Sequence, residues 1–224
     1  MREKLRGNGF LDEELNLLFS DNRVTVYPPV VEKTGKGLDY FGTGFGLLTK
    51  RSLKLGRDFL KRNEDFLEDL QKQSGVEKEI LLAILRVETN FGANTGKYPI
   101  FNSLLSMILI ENRRTDWAEE EFRHLLVFSR QQGKDPLAIR GSWAGAFGMC
   151  QFVPSSYVNF AVDGDGDGLV DLFNSHDALA STANYLKRHG YNKESEESKK
   201  AAIYAYNHCD SYVEAVLTYA RALR

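Results

Sequence analysis

Cysteine is scarce in this chain of 224 residues: Cys150 and Cys209 are too few for a disulfide framework, and neither they nor the 4 histidines cluster at zinc-ligand spacing. The two thiols either form one bridge or stay free. A dominant charge is also missing. Against 29 basic side chains stand 31 acidic ones, a net of −2, so no bulk field argues for nucleic acid or an anionic membrane surface as partner. With 5 prolines, 19 glycines and 42% apolar residues, a disordered, collagen-like or low-complexity chain is excluded. The longest uncharged stretch, Gly141 to Val162, is interrupted by Ser142, Gln151, Pro154, Ser155, Ser156 and Asn159, and so does not read as a membrane span. Residues 1–10 carry Arg2, Glu3, Lys4 and Arg6 and lack the apolar centre of a secretory signal; the expectation is a cytosolic protein or one whose export segment has been removed. Internal repeats are absent and alternating β patterns scarce, with at most a strand pair in residues 24–31.

What the chain does have is helical periodicity. Asp12 to Phe19 predicts a short helix, and Val24 to Phe45, with Pro28, Pro29, Gly35, Gly37, Gly42 and Gly44, an irregular wrapping segment. Ser52 is placed to cap one long amphipathic helix running to about Gly75, through Phe59, Leu60, Phe66, Leu67 and Leu70. The run from Glu79 to Glu88 is apolar nearly all round and predicts a buried helix. Further helices are expected over 102–110, 119–132, 154–162, 176–189, 194–207 and 211–223. The fold class is all-α with minor β.

Glu88 is the first residue that packing alone does not explain. It follows Leu81 and Leu85 by seven and three residues, on one helical face, just before Thr89, Asn90, Phe91 and Gly92 end the helix. Desolvation and the negative helix end both disfavour its charged form, and Arg86 at i−2 points elsewhere. A carboxyl still protonated near neutral pH is the donor that glycosidic cleavage requires. The plainer alternative is a helix-end Glu turned to solvent. In Gly141-Ser-Trp-Ala-Gly-Ala-Phe-Gly148 the small side chains admit either a ligand close to the backbone or tight packing, while Ser142 and Gln151 can hydrogen-bond hydroxyl or acetamido groups.

The most specific signal is Asp163-Gly-Asp165-Gly-Asp167-Gly168-Leu169-Val-Asp171, which fills the first, third, fifth, sixth, seventh and ninth places of an EF-hand-like calcium loop, with the Leu169 carbonyl as a donor. Asn174 stands where the bidentate Glu of an ordinary EF-hand would be, and Asp177 is the nearest carboxylate able to close the shell. A lone site of this kind reads as a structural staple rather than a sensor. Tyr185, Tyr206, Asn207 and Tyr212 combine aromatic faces with polar edges suited to sugars, or form a core stripe. Arg113 and Arg114 offer a basic pair to an anionic group, or a solvated turn.

Taken together, RVETNFG (86–92), ENRR (111–114), GSWAGAFGMCQFVPSSY (141–157), the Asp-rich loop, ANYLKRHG (183–190) and YNHCDSYVEAV (206–216) resemble the lytic transglycosylase B family in order and spacing, over about residues 38–223. The resemblance implies a lysozyme-like helical core over 51–224 with its calcium loop at 163–177, preceded by a wrapping segment over 1–50. It implies cleavage of the β-1,4 bond between N-acetylmuramic acid and N-acetylglucosamine in peptidoglycan, with Glu88 as single acid/base and a 1,6-anhydro end as product. Ser142 and Gln151 would sit near the reacting sugar. Tyr40, Phe152, Tyr185, Tyr206, Asn207 and Tyr212 would line the glycan cleft, and Arg113 and Arg114 would face the peptide or lactyl side. Asp163, Asp165, Asp167, Leu169 and Asp177 would hold a structural Ca2+, with no organic cofactor. A periplasmic monomer acting on glycan strands is expected. The resemblance also leaves a Cys150–Cys209 bridge open. Two other functions compete: a hydrolytic muramidase, and a calcium-stabilised glycan-binding module without catalysis.

Overall fold

In the computed structural model, which describes residues 2–27, 38–110 and 113–224, the helical periodicity is realised as eleven helices and one two-stranded sheet among the described residues. Their order is α1 (Arg2–Gly7), α2 (Asp12–Phe19), α3 (Lys50–Arg62), α4 (Glu64–Ser74), α5 (Lys78–Thr89), β1 (Tyr98–Pro99), α6 (Ile100–Leu109), α7 (Thr115–Gln131), β2 (Arg140–Gly141), α8 (Pro154–Phe160), α9 (Ser175–Arg188), α10 (Glu196–Tyr206) and α11 (Asp210–Leu223). The all-α expectation holds, most helices lying within a few residues of their predicted bounds. No helix among the described residues is long and apolar enough to cross a membrane. Pro28, Pro29, Gly35, Gly37 and Glu111 lie outside the described residues, as does the end of the strand pair expected over 24–31.

The long helix expected from Ser52 to Gly75 is instead two helices, α3 and α4, broken at Asn63. The Asn63 side-chain amide donates to the Phe59 carbonyl (2.8 Å), and its backbone leaves helical values at φ −119, ψ 27; this local bonding by Asn competes with the helical ladder. The cap is Thr49, whose hydroxyl accepts the Ser52 N–H at 3.2 Å. Ser52 lies inside the helix, where it has a different partner described below. The strand pair found is Tyr98–Pro99 against Arg140–Gly141, antiparallel.

Backbone contacts divide the chain into two compact units. One holds the N-terminal helices, Thr95–Phe147 and Gln151–Asn159. Its core is aromatic: Phe101 and Phe122 are fully buried at 4.8 Å between ring centres, with Phe19 from α2 stacked on Phe122 and Phe128 packed against Phe147 and Tyr157. The other unit holds the chain that follows up to Asn94, Gly148–Cys150 and Phe160–Arg224. Its axis is α5. Ile80, Leu81, Leu82, Ala83, Ile84 and Leu85 are each no more than 2% exposed, and each large side chain so buried contributes about 1.5–3 kcal/mol of transfer free energy. Helix α11 packs along α5, and α3 and α10 pack on α11. Gly56 of α3 allows that close approach, because a Cβ there would come within 2.8 Å of Leu223 and strike the Tyr219 hydroxyl.

Candidate active site

Glu88 sits at the penultimate position of α5, the last place where the buried helix still fixes its direction. Beyond it Asn90 (φ 52), Phe91 (φ 57) and Gly92 (φ 85) all adopt left-handed backbone, which turns the chain sharply away. Thr89 locks that turn: its hydroxyl donates to the Met149 carbonyl at 2.8 Å and accepts the Gly92 N–H at 3.0 Å. The Glu88 side chain is half-buried. Burial pushes its carboxyl up to about 7, against a smaller opposing effect of a hydrogen bond from Tyr212. That bond is short, the Tyr212 hydroxyl donating to Glu88 Oε1 at 2.6 Å.

Arg86, two residues earlier, takes no part in holding the carboxyl. Its guanidinium donates to the Ser52 hydroxyl at 2.7 Å and the Phe45 carbonyl at 2.9 Å, so its charge is held on α3 and the preceding turn. The sequence places Arg86 elsewhere by geometry alone; the structure supplies the reason.

An aromatic row leads from the carboxyl. Tyr40 meets Tyr212 edge-on at 5.9 Å, Tyr212 lies parallel to Tyr206 at 6.4 Å, and Tyr206 meets Tyr185 edge-on at 4.9 Å. Tyr185 stacks on His189 at 4.0 Å. Tyr40 is 6% exposed and Tyr212 1%, so both act on the site from behind, while Tyr185, Tyr206 and Asn207 are half-buried. The Tyr206 hydroxyl donates to the Cys150 carbonyl at 2.7 Å and that of Tyr185 to the Ala205 carbonyl at 2.7 Å. Burial raises the Tyr206 and Tyr212 hydroxyls well above their ordinary values, so both remain donors at any working pH. Cys150 and Cys209 are not joined in a disulfide. Thr89, Met149 and His189 were not legible as site residues, because each acts through a backbone carbonyl or a ring stack that leaves no motif.

Ser142, Gln151, Phe152, Arg113 and Arg114 belong to the other unit. The Ser142 hydroxyl accepts the Ala146 N–H at 3.1 Å, closing a tight loop. Within it Gly145, at φ 86, lies so near Leu104 that a Cβ would come within 2.9 Å of it; tight packing accounts for this glycine. Gln151 holds a left-handed backbone (φ 52) and donates from its amide to the Thr95 carbonyl at 3.1 Å. Phe152 is 3% exposed, its carbonyl accepting the Phe147 N–H. Arg113 and Arg114 are exposed, with the Arg114 guanidinium 4.0 Å over the Trp117 ring.

The Asp-rich loop places one oxygen each of Asp163, Asp165 and Asp177 within 4.8 Å of one another. Asp163 accepts the N–H groups of Gly166 and Gly168 at 2.7 and 2.8 Å, which hold its carboxyl below its ordinary value. Asp177, 1% exposed, accepts from Gly164 (2.8 Å) and Asp171 (2.6 Å). Asn174 caps α9, accepting the His176 N–H, and its amide nitrogen reaches Asp165 at 2.5 Å, so it presents a donor to the loop. The Asp167 carboxylate accepts the Leu169 N–H at 2.7 Å, and Leu169 is 60% exposed.

Residues 32–201 match the family described as Transglycosylase SLT domain. Membrane-bound lytic murein transglycosylase B of Escherichia coli K12 is 36% identical over 183 residues, which is 82% of this chain and 50% of that protein; the chain thus spans half the length of this curated relative. The crystal structure of soluble lytic transglycosylase SltB1 from Pseudomonas aeruginosa superposes with a TM-score of 0.88 at 27% identity, over 99% of this chain and 96% of that one. Escherichia coli Slt35 in complex with calcium superposes with a TM-score of 0.89 at 25% identity, over 99% and 90%.

Proposed function

The chain belongs to the Transglycosylase SLT domain family, and on that premise we propose that it cleaves the β-1,4 bond between N-acetylmuramic acid and N-acetylglucosamine in peptidoglycan, leaving a 1,6-anhydromuramic acid end. The observation that carries this reading is the Glu88 carboxyl, pushed up to about 7 by burial and held at 2.6 Å by the Tyr212 hydroxyl. Glu88 gives its proton to the bridging oxygen as that bond breaks. The resulting carboxylate, now steadied by the same hydroxyl, takes the proton of the muramyl C6 hydroxyl as its oxygen bonds to C1. Proton and bond counts close without water. One carboxyl then serves both steps, in place of the two that most glycosidases use.

Tyr212 and Tyr40 position the carboxyl from behind, and Tyr185, Tyr206 and Asn207 offer half-buried polar edges to glycan hydroxyls. Ser142, Gln151 and Phe152 are assigned to the reacting sugars and Arg113 and Arg114 to the peptide or lactyl side. For the loop, the three convergent carboxylates suit a hard divalent cation that takes oxygen ligands, such as calcium. Asp163, Asp165 and Asp177, with Asp167 and the Leu169 carbonyl, would hold it. Its chemistry there would be charge neutralisation that fixes the turn into α9, outside the proton path. The substrate places the protein in the periplasm or at the outer membrane. The test is turbidity loss of purified murein: Glu88→Gln, with unchanged circular dichroism, should lower the rate at least about a hundredfold, the low end of what general acid/base catalysis contributes. Clearing by that variant at the wild-type rate overturns the assignment.

A further inference from the structure

Helices α10 and α11 are joined by only Asn207, His208 and Cys209, so they return antiparallel; the ion pair of Arg221 with Glu196 at 3.8 Å ties the end of one to the start of the other. Their outward faces bound a groove of about 700 Å³, within the range of ligand sites, roughly 300–1,000 Å³. It is distinct from the carboxyl site. Tyr204 and Glu214 line it, two positions from Tyr206 and Tyr212 and hence on nearly opposite helix faces. Val213 and Leu217, each 7% exposed, form an apolar floor. Tyr204, 41% exposed, rises from one wall with His208 edge-on at 5.2 Å.

The charges along this groove are sorted. Asp210 and Glu214 stand at the end nearest the connecting turn, while Lys200 and Arg221 stand toward the other, all four exposed. A neutral sugar strand makes no use of two opposed charged ends, and a polyanion is repelled by the acidic one. The geometry points to a short zwitterionic peptide as the occupant, lying with its ammonium toward Asp210 and Glu214, its carboxylates toward Lys200 and Arg221, and an apolar side chain over Val213 and Leu217. The peptide stem of murein has this chemistry, and naming it as the source rests on the reading given under Proposed function. The groove would then hold a stem away from the bond being cut, keeping the enzyme on its polymer.

Amide-resonance NMR of the full chain, titrated with a free murein stem peptide, tests this. Saturable shifts confined to residues 200–221 are expected. Each of Glu214→Gln and Arg221→Gln should weaken binding about threefold to fivefold, the scale of one exposed charge contact. A peptide with its amine acetylated and its carboxylates amidated should not saturate. Tyr204→Ala should weaken the peptide while leaving cleavage of peptide-free glycan strands unchanged. The inference is overturned by absence of saturable shifts, by equal binding of the blocked peptide or of peptide-free glycan, or by shifts that follow self-association of the chain. Glu88→Gln separates the two readings: it should lower cleavage at least about a hundredfold and leave the groove shifts intact. Saturable peptide binding in a wild-type chain that cuts no murein overturns the proposed function and supports the groove.

Discussion

With its carboxyl pushed up to about 7 by burial, Glu88 holds its proton in about half the molecules at neutral pH, where a free glutamic acid would hold it in fewer than about one in a hundred. In the proposed reaction the protonated form acts first, so kcat/KM should fall about tenfold per pH unit above about 7. Tyr212 sets where that fall begins. Its hydroxyl favours the charged carboxylate, and removing it must raise the carboxyl further. Tyr212→Phe should therefore move the alkaline limb to higher pH while lowering kcat, because the carboxylate that collects the second proton loses its partner. A pH–rate profile with an unmoved or acid-shifted limb would contradict this role. At this scale a carboxyl raised by burial was legible in the sequence, as a charge placed on a leucine face at a helix end. Its partner was not, because Tyr212 lies 124 positions away and no local spacing reports such a contact.

Among the elements, α5 was readable because Ile80 to Leu85 put apolar side chains on every side of it, and a helix of that kind is buried. The break between α3 and α4 was not. Neither glycine nor proline marks it, and Asn63 ends the helix through a side-chain bond to the Phe59 carbonyl that competes with a pattern otherwise continuous across it. The sheet was misplaced for a related reason: two residues per strand are too few to show alternation. The packing of α3 on α11 carries a prediction of opposed effects. Gly56→Ala improves helix propensity by roughly 1 kcal/mol, yet its Cβ would come within 2.8 Å of Leu223 and strike the Tyr219 hydroxyl, and overpacking of this kind costs about 1–3 kcal/mol. The Tyr219 hydroxyl also donates to the Ser52 carbonyl at 2.8 Å, so yielding would loosen a second bond. Urea unfolding should show net destabilisation; a more stable variant would mean the contact relaxes freely.

For the whole molecule, the Asp-rich loop joins the end of α8 to the start of α9 and is the one motif whose ligand can be read as stability. A cation bound only by the folded chain stabilises it by about 2.7 kcal/mol at a hundredfold excess over Kd. Calcium should raise the Tm, a chelator should reverse the gain, and Asp165→Asn should abolish the gain while leaving the metal-free Tm near the wild-type value. Identical melting curves with and without calcium would remove the ion from this account. The acidic cluster and the helical class could be read from the sequence, whereas the division into two units could not, because it depends on which helices meet across long stretches of chain. In the proposed reaction one carboxyl moves a proton twice while the substrate's own hydroxyl closes the ring. Digestion of purified murein in heavy-oxygen water tests it most directly. Products free of the label and lighter by one water than a hydrolysed end are predicted; label at the new muramic acid end would show that water is the nucleophile and contradict the account.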